Sequence, residues 1–281
     1  MINSGGLLVG LLEDTPGYWG PVTATVDWCE ANYRYSPYVC ELWNTLSSLV
    51  IVAAGLIGIV LHRVVLEARF ALAFAAVTLV GVGSVAFHGT LRFELQMLDE
   101  LPMIYSGLVM AFILIENRPE RRFGVWFPAA LIAHGALVTV LCASTRGTLE
   151  FAVFHASFGS LELFALARVS AIARKSAEPS LRRLYRLGMT SYALGLLAWF
   201  TDLKACGWLA GTLPSLGIPN PQLHAVWHVL VSCGLYWLTL VIALDRLSTL
   251  ERPHSLTWVA GWLPRIVRNA SHAVDRPSGA A

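Results

Sequence analysis

Three histidines stand within apolar stretches of the sequence, at spacings that suit a metal site. His88 lies near the end of one stretch, and His224 and His228 lie near the start of another. His224 and His228 are four residues apart, so both imidazoles project from one face of a helix. Ionisable groups inside a bilayer are costly and usually functional. The pattern predicts a metal site between two helices; the alternative is that hydrogen-bonded histidines brace a helical bundle.

Two further polar side chains accompany these histidines. Ser84 lies four residues before His88, and Asp99 lies in the polar string QMLDELP. Neutral imidazole favours zinc, which in catalytic sites commonly keeps three protein ligands and an open position, although copper and iron also accept nitrogen ligands. In hydrolysis Asp99 would accept a proton from the attacking water. Ser84 would hold that water or donate a hydrogen bond to the oxyanion, or else pack as a small residue between helices.

The composition indicates an integral membrane protein. The chain is 56% hydrophobic and 14% charged, against about 25% charged residues in ordinary globular proteins. Seven apolar stretches approach or reach the ~20 residues that a spanning helix needs. They cover residues 42–61, 70–87, 94–115, 123–143, 149–169, 187–199 and beyond, and 223–244. We therefore predict an all-α membrane protein, a seven-transmembrane helix bundle with an outer segment 1–41, a catalytic domain 42–245 and a tail 246–281.

The distribution of basic residues predicts the orientation of the bundle. Sixteen of the 20 Lys and Arg residues lie in the connections after the first, third and fifth stretches and in the tail. The other side holds Arg34, Arg92, Arg146 and Lys204. The positive-inside rule then predicts an outer or lumenal N-terminus and a cytoplasmic C-terminus. In this topology the three histidines and Asp99 share one depth near the outer surface, with Asn220 and Pro221 as N-cap and first residue of the last helix.

We assign no catalytic role to the chain ends or to four further polar residues in the apolar stretches. The opening GLLVGLL is too short to span and follows no basic segment, so we expect neither a membrane helix nor a secretory signal. The tail after Arg268 is polar, and we expect flexible chain ends. Four polar residues could line a cavity or pair across helices, but no spacing links them to the histidines, and we assign a structural role to His134, Glu150, His155 and Glu162.

The sequence resembles the alkaline ceramidases, intramembrane amidases of a superfamily that includes adiponectin-receptor-like proteins. The resemblance runs through GYWGPVTATVDWCEANY, ELWNTLSS, GSVAFH, LQMLDELPMIYS and QLHAVWH. It implies zinc ligands together with a serine and an aspartate at the reacting centre, namely His88, His224, His228, Ser84 and Asp99. The wider superfamily shares this set, so DWCEAN and ELWN are the more discriminating strings. The sequence departs from the family mainly before Gly17, in the cytoplasmic connections and after Arg252.

An acidic set near the N-terminus offers oxygen ligands. It consists of the side chains of Asp27, Glu30, Asn32 and Glu41, together with the carbonyl of Trp28. Calcium takes 6 to 8 oxygen ligands. Taken alone, such residues more often form a solvated face, whereas the family resemblance implies a calcium site.

The five cysteines include one pair that is well placed for a disulfide. Cys29 and Cys206 both lie in predicted outer segments, where disulfides persist, and the family resemblance places cysteines in DWC and in the W-x-x-D-x-x-x-C pattern of WFTDLKAC. The other three lie in or near apolar helices and are expected to pack: Cys40, Cys142 and Cys233.

With the resemblance, these features predict a zinc-dependent amidohydrolase that cleaves ceramide-like sphingolipids to a fatty acid and a sphingoid base. The alternatives are a heptahelical lipid receptor or sensor with a structural metal, and another lipid hydrolase of the superfamily. The expected cofactors are zinc and calcium, and the expected partners are the lipid substrate and the bilayer. No motif indicates nucleic acid or a protein partner. A eukaryotic chain would lie in the endoplasmic reticulum or Golgi membrane, and a bacterial one in the inner membrane.

Overall fold

The described part of the chain forms seven long helices followed by a β-hairpin. The computed structural model describes residues 17–269; the predictions for GLLVGLL and for the end of the tail fall outside this range. After an N-terminal segment of residues 17–41, the helices are α1 (Leu42–His62), α2 (Ala68–Thr90), α3 (Phe93–Ile115), α4 (Trp126–Ser144), α5 (Gly147–Lys175), α6 (Pro179–Cys206) and α7 (Leu223–Thr249). A π-helical turn (Gly207–Thr212) and a short helical turn (Leu213–Ser215) connect α6 to α7.

Six of these helices, α1 to α5 and α7, are long and apolar enough to cross a bilayer. This finding confirms an all-α, multi-pass membrane protein. Helix α6 differs because it is basic near its start, at Arg182, Arg183 and Arg186, and carries Asp202 and Lys204 near its end. Its apolar part is therefore shorter than the helix itself.

Helix α7 runs through the centre of the bundle. In the most apolar 18-residue stretch of α7, 61% of the residues are buried, whereas in the corresponding stretch of α5 only 11% are buried. It packs against α6 and α1, and α2 packs against both α1 and α3. Glycine allows the closest of these approaches, because a Cβ on Gly83 of α2 would lie only 1.8 Å from the carbonyl oxygen of Leu98 in α3. The helices that carry the predicted site residues are thus held close together.

The start of α7 differs from the sequence prediction. Asn220 and Pro221 are not the N-cap and first residue, since the helix begins at Leu223 and the preceding Gln222 has a left-handed backbone, with φ of 54°. The Asn220 side chain accepts a hydrogen bond from the Gln222 N–H at 3.0 Å and donates one to the Cys29 carbonyl. The prediction is wrong because Asn220 stabilises the turn before the helix and not the helix itself.

A two-stranded antiparallel sheet follows α7, formed by β1 (His254–Val259) and β2 (Leu263–Arg268). The backbone N–H of Ile266 donates to Nε2 of His62 at the end of α1, at 3.2 Å. The Tyr236 hydroxyl of α7 donates to the Pro264 carbonyl at 2.9 Å. The sequence does not predict this hairpin, which covers the end of the bundle opposite to the predicted site.

Candidate metal centre

The three predicted histidines converge where α2 ends and α7 begins. Their ring centroids lie 5.1 Å apart for His88 and His224, 5.0 Å for His88 and His228, and 4.6 Å for His224 and His228. One nitrogen of each ring lies within 4.8 Å of the others. Each residue is at most 5% exposed. Within residues 17–269, this histidine cluster is the group of His, Cys, Asp or Glu side chains placed to hold a metal ion.

The hydrogen bonds of the imidazoles leave nitrogen atoms for a metal. His88 Nδ1 lies 2.5 Å from Glu41 Oε2, while His88 Nε2 is buried without a hydrogen-bond partner. His228 Nδ1 lies 2.8 Å from the Ser47 hydroxyl. A buried nitrogen without a partner is unfavourable, and metal-binding histidines characteristically bond their second nitrogen to a carboxylate or another polar group. The donor set therefore fits a divalent metal that prefers nitrogen ligands, such as zinc.

Asp99 and Ser84 lie beside the histidine cluster and line a cavity that His224 and His228 also line. The Ser84 hydroxyl contacts the Asp99 carboxylate and accepts a hydrogen bond from the Ser48 hydroxyl at 3.0 Å. Gly83 allows the backbone of α3 to approach α2 at this level. The structure thus brings together all five residues predicted for the reacting centre.

The N-terminal segment covers the end of the bundle that carries the cluster. The Trp28 ring stacks on His224 with 3.6 Å between centroids. A disulfide joins Cys29 to Cys206 at the end of α6, which confirms the predicted pair. One turn earlier, Asp202 accepts hydrogen bonds from the backbone N–H groups of Cys29 at 3.1 Å and His224 at 3.2 Å. The segment, α6 and α7 therefore meet at one carboxylate.

The acidic set of the N-terminal segment is buried. Its members are at most 8% exposed: Asp27, Glu30, Asn32 and Glu41. The Asn32 amide donates to both carboxylate oxygens of Asp27, at 3.1 and 3.2 Å. Side chains this deeply buried do not form a solvated acidic face, which is the alternative to a cation site in the sequence analysis.

Two carboxylates of this set lie close to α1 and to each other. Glu30 accepts hydrogen bonds from the backbone N–H groups of Trp43 and Asn44, at 2.8 and 3.0 Å. Burial, reinforced by the neighbouring charge of Glu41, raises the pKa of Glu30 to about 7. Burial likewise raises the pKa of Glu41. A cation nearby would favour the ionised form of both groups.

A cavity of about 370 Å³ extends from the histidine cluster into the bundle. Apart from the reacting centre, most of its wall is apolar or aromatic, with Val77, Met103, Phe158, Leu166 and Trp227 among the lining residues. Such a wall suits a hydrocarbon chain, because a chain that carries no polar group needs no hydrogen-bond partner in it. The structure therefore places the candidate metal centre at the head of a lipid-compatible cavity.

Two of the four polar residues assigned a structural role line this cavity. His155 and Glu162 both face it from α5, and Glu162 accepts a hydrogen bond from the Tyr192 hydroxyl at 2.6 Å. In contrast, Glu150 is buried against the Gln96 amide at 3.3 Å, and His134 is exposed on α4. Sequence spacing cannot show which face of α5 turns towards the site.

The sequence of the chain is similar to those of known proteins over most of its length. The sequence profile of the ceramidase family matches residues 20–267. Alkaline ceramidase 3 of Mus musculus is 35% identical over 231 residues, which cover 79% of this chain and 84% of that protein. Alkaline ceramidase of Arabidopsis thaliana is 30% identical over 227 residues, which cover 80% of this chain and 85% of that protein. Alkaline ceramidase YPC1 of Saccharomyces cerevisiae is 28% identical over 269 residues, which cover 89% of this chain and 85% of that protein.

Proposed function

The chain belongs to the ceramidase family, and we propose that it is a zinc-dependent amidohydrolase that cleaves the N-acyl amide of ceramide-like sphingolipids. The products are a free fatty acid and a sphingoid base. One observation carries this proposal: three buried histidines, a carboxylate and a hydroxyl converge at the head of an apolar cavity. A receptor with a purely structural metal would not need a carboxylate that faces the cavity beside it.

The side chains have distinct roles in this reaction. A zinc ion on the histidine cluster would polarise the amide carbonyl and lower the pKa of water to about 7. Asp99 accepts the proton of the attacking water and passes it to the departing amine nitrogen. The single hydrogen of the Ser84 hydroxyl, which contacts Asp99, turns to the negative charge that develops on the carbonyl oxygen once Asp99 has taken up its proton. Glu41 and Ser47 hold His88 and His228 in the orientation that ligation needs.

A lipid-release assay on the purified protein tests the proposal. We expect turnover of ceramide amides, little turnover of matched ester lipids, loss of activity in a metal-free preparation and recovery with added zinc. His228→Ala should lose metal and activity together, while His134→Ala, on the exposed face of α4, should keep both. Full turnover without metal would exclude the zinc mechanism, and metal binding without turnover of any lipid would favour a receptor.

The buried acidic set supports a second, calcium-binding role. We propose that Asp27, Glu30, Asn32, Glu41 and the Trp28 carbonyl hold calcium and thereby order the N-terminal segment over the histidine cluster. A ligand that binds only the folded state stabilises it, so calcium should raise the melting temperature and a calcium-selective chelator should lower it and reduce turnover. If chelation changes neither quantity, this set is a hydrogen-bonded structural cluster only.

The basic residues support a seven-span topology with α6 as a span and the site near the outer surface. In this arrangement a tag at residue 1 is outside or lumenal and a tag at residue 281 is cytoplasmic. Protease protection of both tags on one side would contradict an odd number of spans. The same topology suits the endoplasmic reticulum or Golgi membrane of a eukaryote and the inner membrane of a bacterium.

A further inference from the structure

The cavity wall formed by α5 carries a histidine that the proposed mechanism does not use. His155 lines the same cavity as Asp99 and His228. Its ring lies 5.6 Å from Trp199, which lies 6.3 Å from Trp28, the ring that stacks on His224. These ring contacts connect His155 to the histidine cluster at the end of the bundle beneath the N-terminal segment. His155 therefore lines the cavity and is linked to the histidine cluster through two intervening rings, Trp199 and Trp28.

The hydrogen bonding of His155 leaves one nitrogen available to a ligand. Its Nδ1 lies 2.8 Å from the carbonyl oxygen of Phe151. A carbonyl oxygen only accepts, so Nδ1 carries the hydrogen and the neutral ring has its lone pair on Nε2. In the described part of the chain no side chain or backbone group hydrogen-bonds to Nε2. The half-buried side chain thus presents a hydrogen-bond acceptor to the cavity.

The ring of His155 is also held in place. It stacks on Phe151 with 3.8 Å between centroids, and Phe154 meets it edge-on at 5.0 Å. An acceptor on a fixed ring selects a donor by position, since little freedom is lost when the hydrogen bond forms. A polar group that enters this largely apolar space without a partner is unfavourable. The acceptor in this wall therefore suits a ligand that carries a hydroxyl.

We propose that His155 is a specificity-determining residue that accepts a hydrogen bond from a hydroxyl of the long-chain base of the substrate. This inference rests on the proposed function, because it requires the substrate amide at the histidine cluster. A ceramide carries hydroxyls on the first and third carbons of the base, on either side of the carbon that bears the amide nitrogen. Both offer the same chemistry, so the choice between them is left to substrate analogues.

The test compares His155→Phe with the native enzyme on ceramide, 1-deoxyceramide and 3-deoxyceramide. Phenylalanine keeps a planar ring against Phe151 and Trp199 but has no acceptor. We expect kcat/KM on ceramide to fall about tenfold, the size of one hydrogen bond, chiefly through a higher KM. On the analogue that lacks the recognised hydroxyl, variant and native enzyme should be equal. His155→Gln, which retains an acceptor oxygen, should recover part of the loss on ceramide.

The controls separate this inference from packing and from the proposed function. His134→Phe makes the same change on the exposed face of α4 and should leave all three rates unchanged. An equal loss on all three substrates, or no loss on any, would overturn the role of His155 while leaving ceramide hydrolysis intact. If His155→Phe does not fold, kcat/KM of the native enzyme is compared on the three substrates instead. Equal values on all three overturn the inference. Failure of the native enzyme on every ceramide would instead refute the proposed function.

Discussion

The Glu41 carboxylate lies 2.5 Å from Nδ1 of His88, so a single side chain joins the N-terminal segment to the candidate metal centre. Its other oxygen accepts a hydrogen bond from the Trp28 N–H at 3.1 Å, and the Asn44 amide donates to the first oxygen at 3.1 Å. Glu41 is completely buried. The position of His88 therefore depends on the order of the segment that covers it.

We predict that Glu41→Gln weakens zinc binding about 10- to 100-fold, the usual effect of losing the group that orients a ligand histidine. Glutamine keeps the shape but removes the charge that favours the Nδ1–H tautomer of His88. The zinc affinity is measured by competition with a zinc chelator, and atomic absorption gives the zinc that remains bound to the protein. Glu94→Gln, the same change at an exposed residue in the first turn of α3, is the control. Equal zinc affinity for the two variants would show that Glu41 does not orient His88.

Asp99→Asn should separate metal binding from chemistry. The variant loses a proton acceptor and no metal ligand, so zinc content should stay near the native value while kcat falls about 10²- to 10⁴-fold. Zinc content and ceramide turnover are measured on the same preparation. Native turnover by Asp99→Asn would exclude Asp99 as the general base, and loss of zinc would make it a ligand or a structural residue.

Much of the fold and of the reacting centre could be predicted from local sequence. Spans follow from apolar length, and the spacing of His224 and His228 places both on one helix face. Their meeting with His88 follows from a shared depth in the topology. The Cys29–Cys206 disulfide could be predicted from segment placement and family resemblance together. Except for the disulfide, which also needs the family resemblance, these features depend on periodicity and composition, which a single sequence displays.

The remaining features depend on tertiary contacts that have no local signal. Asp202 accepts a hydrogen bond from the backbone at the start of α7, from another helix. No role is predicted for it from the sequence, although it is the aspartate of the W-x-x-D-x-x-x-C pattern that contains Cys206. Ser47 reaches His228 from α1, within the string ELWNTLSS. Glu30 caps α1 from 13 residues before Trp43. His155 faces the cavity only because of the rotation of α5 about its axis, which periodicity alone does not determine.

Gly83→Ala should impair catalysis without removing the metal. The new methyl group would meet the Leu98 carbonyl oxygen and the Asp99 backbone nitrogen, at 1.8 and 2.9 Å, so α3 must move away from α2. A displacement of about 1 Å can lower the rate about 100-fold, and we expect a fall of this order in kcat with zinc retained. Gly89→Ala is the matched control on α2, because a Cβ there meets nothing within 4 Å. Native kcat in Gly83→Ala would show that the close approach of α2 and α3 does not position Asp99.

The Glu67–Arg246 ion pair should make stability depend on pH at the other end of the bundle. Arg246 donates from Nε and from a terminal guanidinium nitrogen to the two Glu67 oxygens, at 2.9 and 3.1 Å, and this lowers the pKa of Glu67 below 4.5. A carboxyl group with a lowered pKa in the folded state stabilises it above the unfolded pKa, and this contribution is lost as pH falls through the folded pKa. At pH 7, Glu67→Gln should cost about 1 kcal/mol, since solvent screens the partly exposed carboxylate.

Melting temperatures of the native protein and Glu67→Gln, measured in one detergent from pH 7 down to pH 3.5, test this dependence. The difference should be about 2 °C at pH 7 and should shrink as the pH falls through the lowered pKa of Glu67, where the native carboxylate also becomes protonated. Glu120→Gln changes an exposed carboxylate in the connection between α3 and α4, and its melting temperature should match the native value throughout. A difference for Glu67→Gln that stays constant with pH would assign its effect to packing and not to the charge of the pair.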